Sequence, residues 1–213
     1  MHRQKIDFYA AKADFFDGQV GAPWAADTYS PAELVKLKRL FTVTGSLDGL
    51  RVLEPGCGTG RLTAMLARKV GPKGRVVAMD ISPCMVAEAR RRLSGCHQVE
   101  IRLGAVEEIQ GCPAYFDRVI CHQVFPHFED QYETLSMLAR LLKPGGRLVI
   151  SHFLSSAEIN DVHRKADAVV ARDMLPAWDT LRRWCECCGL RIGMWQDDAD
   201  GYLLSAGRVP GSE

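Results

Sequence analysis

A short apolar run that ends in closely spaced glycines is the feature that most constrains the fold of this chain. Val52, Leu53 and Glu54 lead into glycines at positions 56, 58 and 60, and Asp80 ends a second apolar run. This order predicts a buried strand, a glycine turn, a helix and a second strand that brings an acidic side chain to the turn. The dinucleotide fingerprint requires its third glycine where Arg61 stands, so the spacing disfavours NAD or FAD as the ligand.

From residue 50 onward, strand and helix patterns alternate, which predicts βαβ units and a parallel sheet. The predicted strands cover 50–54, 75–79, 99–103, 116–121 and 146–152, and the predicted helices cover about 6–16, 30–41, 62–70, 82–93, 131–142, 155–170 and 178–188. Two late strands, 190–195 and 202–206, flank six polar residues and predict a hairpin. We therefore predict an α/β fold: a doubly wound, mostly parallel seven-stranded sheet with a C-terminal antiparallel hairpin and helices on both faces.

Length, charge and cysteine usage limit the class of protein. The 213 residues suit one α/β domain, and 27 Lys and Arg against 26 Asp and Glu give a net charge of +1. Because no global field attracts a polyanion, we expect no nucleic-acid partner. The absence of a secretory signal or an 18-residue apolar run predicts a cytoplasmic protein without a membrane span, either a monomer or a homodimer. The eight cysteines have no zinc spacing, so we expect no metal.

Three segments, taken in order, carry a family resemblance. They are the turn from Val52 to Gly60 with its Asp80, the strand from Phe116 to Ile120, and the stretch from Leu142 to Leu148. Together they resemble a class I S-adenosylmethionine-dependent methyltransferase over residues 50–152, and the hairpin extends the match to about 206. The resemblance implies S-adenosylmethionine as the cofactor and a small molecule as the methyl acceptor. The overall layout, including the aromatic N-terminus, also resembles that of quinone-biosynthesis methyltransferases.

The resemblance further implies which residues hold the cofactor. In this family the glycine turn holds the methionine moiety, the acid after strand two holds the ribose, and the segment after strand three holds the adenine. The corresponding residues here are Glu54, Gly56, Cys57, Gly58, Gly60, Asp80, Ile81, Ala105 and Val106, with Cys121 and Gln123 after strand four. Many relatives have aspartate at position 105, so adenine recognition here must use backbone groups or another residue.

Methyl transfer from a sulfonium needs in-line alignment and sometimes a base, a role that histidine fills best near neutral pH. The candidate catalytic residues are His122, His152 and His163. For His127, both packing and chemistry remain open. The stretch from Cys121 to Phe128 lacks the Asn- or Asp-Pro-Pro-aromatic signature of DNA amino methyltransferases, which disfavours a nucleic-acid base as the acceptor.

Segments outside the shared core are expected to select the acceptor. Within a single domain of residues 1–213, we predict an N-terminal helical lid (1–45), a cofactor-binding core (46–152), a substrate-side insertion (153–178) and a C-terminal helix with hairpin (179–213). Aromatic residues in the lid favour an apolar or planar acceptor. The same motifs also fit a catalytically weak or inactive module that binds the cofactor as a sensor or scaffold, and that alternative stays open.

Overall fold

The computed structural model describes residues 2–25, 28–109 and 113–211. The strands are β1 (Arg51–Pro55), β2 (Arg75–Asp80), β3 (Val99–Leu103), β4 (Phe116–His122), β5 (Leu142–His152), β6 (Leu190–Asp198) and β7 (Gly201–Arg208). The helices are α1 (His2–Asp17), α2 (Pro31–Thr44), α3 (Arg61–Val70), α4 (Pro83–Arg92), α5 (Gln131–Leu141), α6 (Ser156–Lys165) and α7 (Trp178–Cys187). None of the helices in these ranges is long and apolar enough to cross a bilayer.

The strands form one seven-stranded sheet in the order β3-β2-β1-β4-β5-β7-β6. Neighbours from β3 to β5 are parallel, whereas β7 runs antiparallel to both β5 and β6. The predicted fold class is confirmed. Because the chain passes from β1 out to β3 and then returns to β4 on the other side of β1, the carboxyl ends of β1 and β4 form a topological switch point, where such sheets bind ligands.

Apolar side chains cover both faces of the sheet, as predicted. On one face Leu135 and Leu138 of α5 and Leu181 of α7 pack against β4 and β5, and all three are fully buried. On the other face α2 and α3 contribute Leu37 and Leu66. The two layers hold β1 and β4 rigidly between them, which fixes the backbone that leaves their carboxyl ends.

The predicted helix starts are borne out by their hydrogen bonds. Ser30 and Glu33 form a capping box, in which the Ser30 hydroxyl accepts from the Glu33 amide at 3.2 Å and the Glu33 carboxylate accepts from the Ser30 amide at 2.6 Å. Ser155 and Glu158 form the same box at the start of α6. These caps satisfy amide groups that the first turn leaves without intrahelical partners.

Helix α6 is shorter than predicted. It ends at Lys165, whereas the sequence pattern predicted a helix to about Val170. Asp167 explains the difference, because its carboxylate accepts from the Val169 amide at 2.9 Å and its carbonyl accepts from the Val170 amide at 3.0 Å. Side-chain bonds of this kind compete with the helix and start a separate turn.

The terminal hairpin and β5 also differ from the prediction. The six-residue turn was wrong, since Asp198 pairs with Gly201 and only residues 199 and 200 form the loop. The polar residue Asp197 belongs to β6, where it pairs with Tyr202 of β7, and its carboxylate accepts from the Ser156 amide at 2.8 Å. Strand β5 begins at Leu142, opposite Phe116, and a register shift accommodates the Pro-Gly-Gly stretch that was expected to precede the strand.

The backbone at Gly201 lies close to the backbone of β5 where the hairpin joins the core. Its φ is +107°, and a Cβ there would lie 2.5 Å from the His152 carbonyl oxygen, which is backbone and cannot rotate away. Gly95 has a similar φ of +93°, but a Cβ there would have no heavy atom within 4 Å. We expect Gly201→Ala to lower the free energy of unfolding by about 1–3 kcal/mol more than Gly95→Ala, as measured by urea denaturation. Equal losses would contradict the close approach.

Candidate active site

Two adjoining cavities open at the carboxyl ends of β1, β2 and β4. The small cavity has a volume of about 100 Å³ and the large cavity about 340 Å³. The predicted cofactor residues on the small cavity are Gly56, Gly58, Asp80, Ile81, Ala105, Val106 and Gln123. Those on the large cavity are Glu54, Gly56, Cys57, Gly58 and Gln123. The glycine turn therefore lies where the two cavities meet.

Three left-handed glycines shape this turn. Gly56 has a φ of +65°, and a Cβ there would lie 2.3 Å from Cγ2 of Val124, in the loop after β4. Gly58, with a φ of +52°, has no heavy atom within 4 Å of its Cβ position. Gly60 lines neither cavity and instead provides the left-handed residue from which α3 begins. The turn packs closely on one side and stays open on the other, as a site that admits a ligand against backbone requires.

Two carboxylates flank the glycine turn. Glu54 is buried, its Oε2 has no hydrogen-bond partner, and burial together with the nearby Asp80 raises its pKa to about 8. Asp80 accepts from the Gly58 amide at 2.8 Å and from the Ser82 amide at 2.9 Å. Burial raises the pKa of Asp80, although these amide bonds oppose the shift. Glu54 thus offers an unsatisfied buried acceptor to a cationic group.

The segment after β3 brings a further carboxylate to the small cavity. Ala105 and Val106 are buried, and Glu107 follows them in a short 3-10 helix. Oε1 of Glu107 accepts from the Tyr9 hydroxyl and from the Thr134 hydroxyl, each at 2.7 Å. Glu107 was missed in the sequence analysis, and its position two residues after Ala105 was the available signal.

Helix α1 covers both cavities. Tyr9 and Phe16 line the small cavity, and Phe15 and Phe16 line the large one. At the end of the helix, Asp17 accepts from the Cys84 amide at 3.0 Å and from the Ser82 hydroxyl. An acidic side chain at the first turn of α4 is favoured by the helix dipole. This contact holds α1 against the core beside the site.

Arg61 accounts for the departure from the dinucleotide fingerprint. Its guanidinium lies 3.7 Å from the Tyr29 ring centroid and donates to the Thr28 carbonyl at 3.0 Å and to the Trp24 carbonyl. The residue that replaces the third glycine therefore holds Trp24 and Thr28, which lie between α1 and α2, beside the glycine turn. Such stacking and hydrogen bonding suit the planar guanidinium.

A buried charged cluster surrounds His127, which lines both cavities. Lys12, 1% exposed, donates to Asp173 Oδ2 at 2.6 Å, and His127 Nδ1 lies 2.7 Å from the same oxygen. The His163 ring centroid lies 4.9 Å from that of His127, and His163 Nδ1 contacts the Asp173 carbonyl. Burial raises the pKa of Asp173, but the bonds from His127 and Lys12 outweigh it and hold that pKa below its usual range. Asp173 and Lys12 were missed because no local sequence pattern pairs them.

The other two candidate histidines lie in a less polar setting. His122 and His152 both line the large cavity, and in each the Nε2 atom is buried without a partner. Burial lowers the pKa of His122 to about 3 and that of His152 well below its usual value. His122 Nδ1 lies 2.8 Å from the Ser151 hydroxyl. Both imidazoles are therefore neutral, and both are weak bases.

Two remaining positions complete the predicted set. Gln123 lines both cavities and has a left-handed φ of +57°, a strained conformation for a non-glycine residue that often occurs at functional sites. Cys121 is fully buried in the core and lines neither cavity. In the part of the chain that the structure describes, no group of three or more His, Cys, Asp or Glu is placed to hold a metal ion.

Comparison with known proteins identifies the family of the chain. A family model described as "Methyltransferase domain" matches residues 46–207. The chain belongs to that methyltransferase family. The predicted resemblance to class I S-adenosylmethionine-dependent methyltransferases, and S-adenosylmethionine as their cofactor, are confirmed. The site of this methyltransferase fits the cofactor, because Glu54 offers an unpartnered buried oxygen to an ammonium group and Gly58 leaves open space at the turn.

The relatives agree with this assignment. The chain is 34% identical over 155 residues to "Ubiquinone biosynthesis O-methyltransferase" of Xanthomonas euvesicatoria pv. vesicatoria, covering 70% of this chain and 64% of that protein. Among solved structures, a SAM-dependent methyltransferase from Aquifex aeolicus superposes with a TM-score of 0.65 at 21% identity, over 85% of this chain and 100% of that one. Geranyl diphosphate C-methyltransferase from Streptomyces coelicolor gives 0.69 at 17% identity, over 83% and 79%. The chain spans less than two thirds of the curated relative's length.

Glu54 makes the stability of the ligand-free protein depend on pH. Its pKa rises from an ordinary 4.5 to about 8, so the folded state binds an extra proton between these values and loses stability as the pH rises. Glu54→Gln has no such titration and keeps its stability as the pH rises. The unfolding free energy of the variant minus that of the wild type should therefore increase by a few kcal/mol between pH 5 and pH 8.5. Urea denaturation at several pH values measures this, with the exposed Glu108→Gln as control. Parallel profiles for Glu54→Gln and wild type would contradict the buried acid.

Proposed function

We propose that this methyltransferase transfers the methyl group of S-adenosylmethionine to a hydroxyl of an apolar, aromatic small molecule bound in the large cavity. The observation that carries the proposal is a cavity that joins the glycine turn to a carboxylate-paired histidine. Apolar residues Phe15, Leu154 and Ile159 line it. The relative named as an O-methyltransferase of ubiquinone biosynthesis supports an oxygen acceptor, and the apolar and aromatic lining supports a planar one.

The cofactor would lie across both cavities. Glu54 would bind the ammonium of the methionine moiety at the glycine turn, Asp80 the ribose hydroxyls, and the surface of Ile81 and Val106 one face of the adenine. Hydrogen bonds of this type to an ionised acceptor contribute about 1.5–3 kcal/mol each. When bound, S-adenosylmethionine supplies a methyl group on a positively charged sulfur. Of the remaining predicted cofactor residues, Cys121 would act only through packing.

His127 is the residue best placed to act as a base. Because the Asp173 carboxylate is ionised, His127 Nδ1 carries the proton that bonds to it, and Nε2 is left as the acceptor of a substrate proton. Burial lowers the pKa of His127, and Asp173 opposes that shift by stabilising the imidazolium. His122 and His152 have no such partner in the described residues, so as bases they are weaker.

The other histidines and the lid would shape the site that binds the acceptor. We assign His122, His152 and His163 to substrate contact, since all three line the large cavity. The residue ranges 1–45 and 153–178 would act as lid and insertion of one domain, because both contribute lining residues. A net charge of +1 supports a partner other than nucleic acid. A cytoplasmic monomer or homodimer completes the proposal.

Turnover with a panel of acceptors tests the proposed function. The purified chain is mixed with S-adenosylmethionine and either catechols and phenols with apolar substituents, matched anilines, or matched benzoic acids. We expect S-adenosylhomocysteine release and a mass gain of one methyl group with the hydroxyl compounds alone, because the base removes a hydroxyl proton. Methylation of the amines would overturn the choice of acceptor atom. Tight cofactor binding without turnover of any hydroxyl acceptor would favour the inactive module.

His127→Gln tests the base. The glutamine keeps a polar contact to Asp173 but cannot accept a proton, so kcat should fall by about 10²–10⁴-fold while binding of S-adenosylhomocysteine is unchanged. The exposed His97→Gln is the matched control. Retention of wild-type kcat in His127→Gln, with turnover lost instead in His122→Gln or His163→Gln, would transfer the role to that histidine.

The pH dependence of kcat/KM distinguishes a base from a residue that only packs, because a loss of packing alone would not shift it. His127 must be neutral to act, so kcat/KM falls as the pH drops below its pKa. The groups that face it are Asp173, Lys12 and His163. In Lys12→Met/Asp173→Asn no buried charge is left unpaired, and the imidazolium loses its carboxylate. We expect the acidic limb to move to lower pH and the plateau rate to fall. An unmoved limb would show that another group titrates.

A further inference from the structure

We propose that Glu107 recognises the 6-amino group of the cofactor's adenine, in the role that an aspartate at position 105 has in many relatives. The inference deepens the proposed function and rests on the cofactor site assigned there. It answers the question left by Ala105, a buried side chain at the small cavity that offers no hydrogen-bond acceptor.

The first observation is an unsatisfied acceptor on a residue that lines the small cavity. Among the described residues that line the small cavity, Glu107 alone has a buried side-chain polar atom without a hydrogen-bond partner, its Oε2. Leaving such an atom buried and unpaired costs free energy, and native structures keep few of them. A ligand that places a donor against Oε2 recovers that cost on binding.

The second observation is the character of the surrounding wall. Ile81, Met85, Val106 and Phe128 line the same cavity and give it apolar surfaces that suit a flat heteroaromatic ring. The other carboxylate on this cavity, Asp80, already accepts from two backbone amides. Of the two, Glu107 is therefore the carboxylate with an uncommitted oxygen for a donor on the edge of the ring.

The third observation is that Glu107 is held in position. Its Oε1 accepts from the Tyr9 hydroxyl of α1 and from the Thr134 hydroxyl of α5, both at 2.7 Å. The Tyr9 hydroxyl in turn accepts from the Glu129 amide at 3.2 Å. With Oε1 fixed by two donors, Oε2 is preorganised, which lowers the entropy cost of a further hydrogen bond. Glu108 is exposed and makes no comparable pair of side-chain bonds in the described residues.

Calorimetric titration of two ligands tests the assignment. S-adenosylhomocysteine carries the 6-amino donor, and S-inosylhomocysteine has a carbonyl oxygen in its place, which would face the carboxylate. We expect the wild type and the control Glu108→Gln to bind the adenosyl ligand roughly 10- to 100-fold more tightly, the range of one hydrogen bond to a charged group. In Glu107→Gln the two affinities should approach each other, because an amide can either donate or accept.

Three outcomes overturn the inference. The first is a wild type that binds both ligands equally, and the second is a Glu107→Gln variant that keeps the wild-type preference; both leave the proposed function intact. The third is a wild type that binds neither ligand, which overturns the cofactor site together with the inference.

If Glu107→Gln fails to fold by circular dichroism, Glu107→Asp replaces it. That variant withdraws the carboxylate by one methylene and should lower the preference several-fold, and an unchanged preference in it counts against Glu107.

Discussion

The backbone path through Gly56, Gly58 and Gly60 is the constraint on which the site depends. All three residues have left-handed φ angles, and a side chain at Gly56 would collide with Val124. At Gly56 this path therefore requires glycine, which lets the loop after β4 pack directly on the turn. The same path directs the Gly58 amide to Asp80, so the turn also fixes the acidic side chain that ends β2.

The buried pair of Lys12 and Asp173 determines how the outer segments close over this turn. Removing two charges from water costs several kcal/mol per ion, and the pair is tolerated only where further hydrogen bonds satisfy it. His127 supplies one bond to Asp173, and the His127 carbonyl accepts from Lys12 at 3.1 Å. Lys12, Asp173 and His127 each depend on hydrogen bonds with the other two. The N-terminal helix, the loop after β4 and the segment after α6 therefore depend on one another, although they are far apart in sequence.

Local patterns in the sequence predicted the sheet, its helices and the glycine turn, because alternation, caps and glycine spacing act over a few residues. Ser30 and Ser155 marked their helix starts correctly. The predictions for the end of α6 and for the length of the hairpin loop were wrong. The side chains of Asp167 and Asp197 bind partners in these regions that hydrophobic periodicity does not reveal. The links among Lys12, Asp173 and His127 lay beyond prediction for the same reason, since they join residues up to 161 positions apart.

Helix α1 connects the two ends of the site. Tyr9 and Lys12 are three residues apart and so lie on one face of the helix. Tyr9 binds Glu107, which lines the small cavity, and Lys12 binds Asp173, the partner of His127, which lines both cavities. Glu107 and the Asp173–His127 pair are therefore positioned by the same helix, so the proposed adenine contact and the proposed base share one structural support.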